Sequence, residues 1–203
     1  MHKEPILEPI AREIRFRKTT KIIKKYKKPI IIVDLGCGPL APFFDYLKKQ
    51  KIKIKSYIGI DPLVNVKNKR EKEVKLIKPI NKKIPLKSNL ADFVVAHAVL
   101  EHLDNPQEML KEMIRITKNK GKVIITTPTP LSKKLLEFLA FRLGLISSRE
   151  IKEHKNYFNK KTLKRLTDGI DGIRTKHEYF EFGLNNLLVI SKIGEREKIR
   201  NIT

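Results

Sequence analysis

Residues 30–35, Ile-Ile-Ile-Val-Asp-Leu, form an apolar, mostly β-branched run that ends on Gly36-Cys37-Gly38-Pro39. A strand without polar alternation is covered on both faces, as a central strand of a parallel sheet is. Glycines directly after such a strand let the backbone turn sharply and let a ligand approach the main chain. The same pattern recurs downstream. Tyr57–Ile60, closed by Asp61-Pro62, the weaker Val74–Ile77, Asp92–Ala96 and Val123–Thr127, ended by Pro128, all read as strands. Amphipathic segments around 41–50 and 105–118 read as helices, and Asn119-Lys120-Gly121 reads as a turn. Strands alternating with helices predict an α/β fold, doubly wound, with a mostly parallel sheet and helices on both faces.

The ends of the chain depart from this alternation. Ile6, Ile10, Ile14, Ile22 and Ile23 predict a helix over 5–27, closed by Lys27-Lys28-Pro29. The C-terminal third predicts helices over 131–143 and 159–167, then strands over 173–181 and 185–193. Gly183 lies between those strands, as in an antiparallel hairpin. The expected organisation is a basic helical segment (1–28), one domain (29–193) and a charged tail (194–203).

Composition narrows the class. In 203 residues, 40% are hydrophobic, too many for a disordered chain, and the length is enough for a sizeable core. Cys37 is the single cysteine, so no intramolecular disulfide forms and a reducing, cytoplasmic setting is expected. No apolar run reaches the roughly 20 residues of a membrane-spanning helix. The N-terminus lacks the apolar core of a signal peptide. The net charge of +23 concentrates in residues 1–30, 67–90 and 131–203. Such a surface suits a polyanion, an anionic membrane or an acidic substrate, and equally a lysine-rich proteome. Residues 131–146, rich in Leu and Phe beside cations, read as a packed helix, with contact to a lipid-linked substrate or membrane surface as the alternative.

Three places carry chemistry. Gly36-x-Gly38-x-x-Ala41 fits a dinucleotide fingerprint, but Asp34 stands two residues before the first glycine. A carboxylate there repels a pyrophosphate and suits a ligand bearing an ammonium group. Asp61, 25 residues after Gly36, ends the second strand and can accept hydrogen bonds from ribose hydroxyls. Asp92–Leu103, with His97 and Leu100-Glu101-His102-Leu103, runs from a strand into a loop.

The order Asp-Leu-Gly-Cys-Gly, Gly-Ile-Asp, Val-Leu-Glu-His-Leu and Gly-Lys-Val-Ile-Ile, over about residues 28–193, resembles the class I S-adenosylmethionine (SAM)-dependent methyltransferases, in the branch with a Leu-Glu-His-Leu signature. The resemblance implies a Rossmann-like, seven-stranded sheet with an antiparallel C-terminal hairpin, and SAM as cofactor. By position it implies Asp34, Gly36, Cys37 and Gly38 around the amino-acid end of SAM. It puts Asp61 and Pro62 at the ribose and His97 beside the transferable methyl. The chain departs from the pattern at Leu40, where a glycine is common, and at Ile80, where an acidic residue commonly binds adenine; Asn81 is the substitute. His97, His102 and His154 are the candidate catalytic bases, with Tyr157 beside the last; His102 is as readily a loop-shaping residue. Some relatives hold a divalent ion through Glu-x-x-Glu-His. Ala98 replaces the first glutamate here, so no metal is expected.

The expected activity is methyl transfer to a small-molecule or lipid- or sugar-linked acceptor. An RNA methyltransferase using the basic surface and a non-catalytic SAM-binding domain are the alternatives; no RNA-binding module or Asn-Pro-Pro-Tyr motif favours nucleic acid. An NAD-dependent oxidoreductase is disfavoured by Asp34.

Overall fold

The computed structural model describes residues 8–64, 71–79, 83–133, 135 and 154–194. Its elements run α1 (Glu8–Ile23), β1 (Ile30–Leu35), α2 (Pro42–Lys49), β2 (Ile54–Ile60), β3 (Val74–Ile77) and β4 (Ala91–His97). A single 3₁₀ turn (Leu100–His102), α3 (Pro106–Ile116), β5 (Thr117–Pro128), α4 (Lys160–Thr167), β6 (Ile173–Phe180) and β7 (Asn185–Lys192) follow. Position 81 and nearly all of the 131–146 segment lie outside the described residues, as does the tail beyond Gly194. Among the described residues no helix is long and apolar enough to cross a membrane.

The seven strands lie in the order β3-β2-β1-β4-β5-β7-β6. β1 through β5 are parallel, while β7 enters antiparallel between β5 and β6. The expected α/β architecture and hairpin are both present. Two apolar layers cover the sheet. Val33, Val94, Val123 and Ile125 point to one layer, shared with Leu110 and Met113 of α3 and Leu163 of α4. Ile32, Phe93, Val95 and Ile124 point to the other, shared with Phe16 and Ile23 of α1 and Phe43, Phe44 and Leu47 of α2. Alternate residues of each strand thus enter different cores, which is why the strands read as unbroken apolar runs.

Two local expectations are corrected. The first helix stops at Ile23, short of Lys27, and its buried face is Phe16, Thr19, Thr20 and Ile23. Ile10, expected on the apolar face, is 56% exposed. Ile14, Ile22 and Ile23 do pack on the core as expected, but Phe16, Thr19 and Thr20 between them cannot be found by searching for isoleucines at helical spacing. The second correction falls at 119–121. Lys120 does take a left-handed φ of 65°, as a turn would require. The segment is nonetheless part of β5. Ala91 pairs with Thr117 and Phe93 with Lys122, so the extra residues bulge from a continuing strand.

Candidate active site

The sheet order reverses between β1 and β4, and in open α/β sheets the ligand crevice lies outside the strand ends at that point. Asp34, next to last in β1, lies there almost fully buried and accepts a hydrogen bond from the Tyr57 hydroxyl of β2. Burial pushes its carboxyl up to about 7; the Tyr57 bond opposes this and the nearby Asp61 adds to it.

The chain then turns through Gly36 and Gly38, both left-handed, with φ of 67° and 70°. A side chain on Gly36 would run into Cγ2 of Val99, so this glycine admits the loop that follows β4. Around Gly38 the nearest atom to an added methyl is Pro42 Cδ at 4.0 Å, which leaves its surroundings open to a ligand. Cys37 is buried, its sulfur turned down onto Gly59 of β2. Only its backbone can serve a ligand above the turn. Leu40 stands 69% exposed on the same loop.

Asp61 ties the second strand end to this turn. Its Oδ2 accepts from the Gly38 amide at 2.9 Å and its Oδ1 from the Leu63 amide at 2.8 Å. Pro62 lies exposed in the turn that follows. Asp34, Gly36, Cys37, Gly38, Asp61 and Pro62 are thus gathered at the ends of the paired strands β1 and β2, while Asn81 lies outside the described residues.

His97 ends β4, and the chain leaves it through Ala98 in a left-handed conformation (φ 55°). Its ring packs against Phe16 at 5.1 Å and Phe43 at 4.7 Å between centroids. Its Nε2 lies 2.8 Å from the Thr19 hydroxyl. Burial, reinforced by the Arg15 charge, holds the imidazole down to about 3, so it is neutral across the physiological range. Thr19, Phe16 and Arg15 all come from α1, so the basic N-terminal helix supplies one wall of the site. No sequence motif marked these three residues.

A second cluster forms just beyond. The Glu101 carbonyl accepts the amides of Lys155 and Asn156 at 2.8 and 3.1 Å, and Asn156 Nδ2 donates to the Leu103 carbonyl at 2.9 Å. These bonds lay the segment around His154 across the Leu-Glu-His-Leu turn. The His102 and His154 rings come within 4.8 Å between centroids. Asn186 of β7 holds the segment's far end, donating to the Phe158 carbonyl at 2.8 Å. Burial, with His102 nearby, lowers His154 to about 4. Glu101 itself is fully buried; its Oε2 accepts from the Thr127 hydroxyl at 3.0 Å, and burial pushes its carboxyl up to about 7. The His97 ring contacts Phe16, Phe43 and Thr19, whereas His102 and His154 contact each other, so the three histidines sit among different neighbours.

Against known proteins, a family described as a methyltransferase domain matches residues 8–171. The chain is 34% identical to an uncharacterised protein of Methanocaldococcus jannaschii over 123 residues, 59% of this chain and 51% of that one. It is 30% identical to an uncharacterised methyltransferase of Schizosaccharomyces pombe over 122 residues, 52% of this chain and 42% of that one. The chain therefore spans about half the length of these curated relatives. Among solved structures, the plantazolicin methyltransferase BpumL, in complex with a monoazolic desmethylPZN analog and SAH, superposes with a TM-score of 0.68. That match has 17% identity and covers 91% of this chain and 87% of the other.

Proposed function

Because the chain belongs to the methyltransferase-domain family, we propose that it is a SAM-dependent methyltransferase acting on a small-molecule or lipid- or sugar-linked acceptor. The observation that carries the reading is the bond between the Gly38 amide and Asp61 Oδ2. It fixes a carboxylate beside a glycine turn at the sheet's switch point, where an adenosine ribose is held in open α/β folds. Asp34, two residues before that turn, favours the ammonium-bearing cofactor over a pyrophosphate-bearing one.

SAM supplies a methyl group already activated by its sulfonium, so the protein's task is chiefly alignment. Asp61 receives the ribose hydroxyls, and Gly36, Cys37 and Gly38 present backbone rather than side chains to the cofactor. Asp34 is poised to ionise when an ammonium group arrives. Pro62 turns the chain away beneath the ribose, and Asn81 is assigned to the adenine side. His97, neutral and engaged by Thr19, walls the methyl-transfer space with Phe16 and Phe43 and keeps water from it. His102 and His154 are assigned to the acceptor side.

Calorimetric titration with SAM, its demethylated product SAH and NAD tests this on the wild type and on Asp34→Asn. SAM and SAH should bind the wild type and bind the variant at least tenfold more weakly, with NAD binding neither. Tighter binding of NAD than of SAH, or no binding of SAM and SAH to the folded wild type, would overturn the reading.

A further inference from the structure

Glu101, His102 and His154 each place one ligand atom within 4.8 Å of the other two. Against the expectation drawn from Ala98, we infer that these three side chains form a binding site for a divalent transition-metal ion, with His154 supplying the third ligand from a distant part of the chain. Metal–ligand bonds of about 2.0–2.2 Å set neighbouring ligand atoms about 3–4 Å apart. The observed spread lies close enough to that spacing for side-chain rotation to bring the three atoms onto one ion.

Three independent features support the assignment. First, Glu101 is fully buried, and its Oε1 has no hydrogen-bond partner, whereas Oε2 is held by Thr127. A buried carboxylate oxygen left without a donor is costly, and an ion bound by Glu101 removes that cost. Second, the ligands are fixed by a surrounding shell. The Glu101 carbonyl is clamped by the Lys155 and Asn156 amides, which set His154 opposite His102. His154 Nδ1 lies 3.2 Å from the Tyr157 hydroxyl, which leaves Nε2 for an ion; metal-binding histidines commonly show this division of their two nitrogens. Third, the ammonium of Lys155, next to His154 in the chain, is paired with Asp104 at 2.6 Å and not with the Glu101 carboxylate, whose Oε1 has no partner.

The ligand chemistry selects the ion. Arg15 faces Glu101 electrostatically, so an ion held mainly by charge competes with a guanidinium for the same carboxylate. Two imidazoles favour Zn²⁺ and its neighbours, which bind nitrogen well, over Mg²⁺, which prefers oxygen. Three protein ligands also leave a position open on the ion. On the methyl-transfer reading above, that position takes an acceptor oxygen, which makes the acceptor a hydroxyl-, carboxylate- or phosphate-bearing molecule. Metal binding itself does not depend on that reading.

The test is calorimetric titration of the metal-stripped full chain with Zn²⁺ and, separately, Mg²⁺. Co²⁺ absorption serves as a second readout of nitrogen ligation. The variants are His154→Asn, Glu101→Gln and, as a control at the opposite edge of the sheet, Glu71→Gln, whose exposed carboxylate pairs with Lys48, each checked for fold by circular dichroism. One equivalent of Zn²⁺ should bind the wild type and Glu71→Gln alike, and at least tenfold more weakly in His154→Asn and Glu101→Gln. Equal Zn²⁺ binding by wild type and His154→Asn, no Zn²⁺ binding at all, or Mg²⁺ binding tighter than Zn²⁺ would overturn the site. SAH titrated into the same proteins keeps the two claims apart: Zn²⁺ binding without SAH binding would sink the methyltransferase reading alone.

Discussion

The Thr19 hydroxyl of α1 lies 2.8 Å from Nε2 of His97 at the end of β4, joining residues 78 positions apart in the chain. Thr19 is fully buried, so the bond is shielded from water. Thr19→Val keeps the shape and removes the partner. Leaving a buried ring nitrogen unsatisfied should cost about 1–3 kcal/mol of stability, read from urea unfolding. A change below a few tenths of that would mean water replaces the hydroxyl.

His97 also gives the fold an acid limit. Its pKa falls from 6.5 in the unfolded chain to about 3 in the folded one. The native state therefore binds fewer protons between those values, and stability present above pH 6.5 is lost as pH falls toward 3. His97→Gln should flatten that part of the profile. If wild-type and variant stability curves run parallel from pH 7 to 4, the burial of this imidazole is not what sets acid sensitivity.

Asp34 contributes with the opposite sign. Its folded pKa is raised from 3.8 to about 7, so its contribution is fully present below pH 3.8 and declines as pH rises through about 7. Binding of an ammonium-bearing ligand favours the ionised form. SAH affinity should therefore strengthen as pH rises from 6 to 8, and Asp34→Asn should remove most of that dependence. Calorimetry across that range decides it; a flat wild-type profile would place the ammonium elsewhere.

Gly36 is fixed by both backbone and packing. Its φ of 67° disfavours any side chain, and an added methyl meets Val99. Gly36→Ala should destabilise by about 2–4 kcal/mol, combining the left-handed penalty with overpacking. Adding Val99→Ala should recover the packing share only. Full recovery in the double variant would show that the backbone conformation carries no cost.

The strands were legible because each is covered on both faces and needs nothing distant to explain its composition. Asp34, Gly36, Gly38 and Asp61 were legible for a related reason: they sit at strand ends, where spacing along the chain translates directly into position. Arg15, Phe16 and Thr19 were not, because nothing in the chain announces that α1 folds over β4. Glu101 was hidden by its neighbour. The Leu-Glu-His-Leu segment draws attention to His102, yet the glutamate is the side chain turned fully inward. The turn at 119–121 was read from sound local chemistry, a residue with positive φ, but strand pairing resumes on both sides and absorbs it.

β7 pairs with β5 on one side and β6 on the other. During synthesis, β5 must wait with an open, apolar edge until residues 185–192 leave the ribosome. The anchor that Asn186 gives to Phe158 arrives at the same moment. Nascent chains stopped in the 170s would thus carry the glycine turn and Asp61 but expose a sticky sheet margin, the kind of surface that recruits chaperones. Completion of the sheet and anchoring of the segment that carries His154 are one event, timed by the arrival of β7.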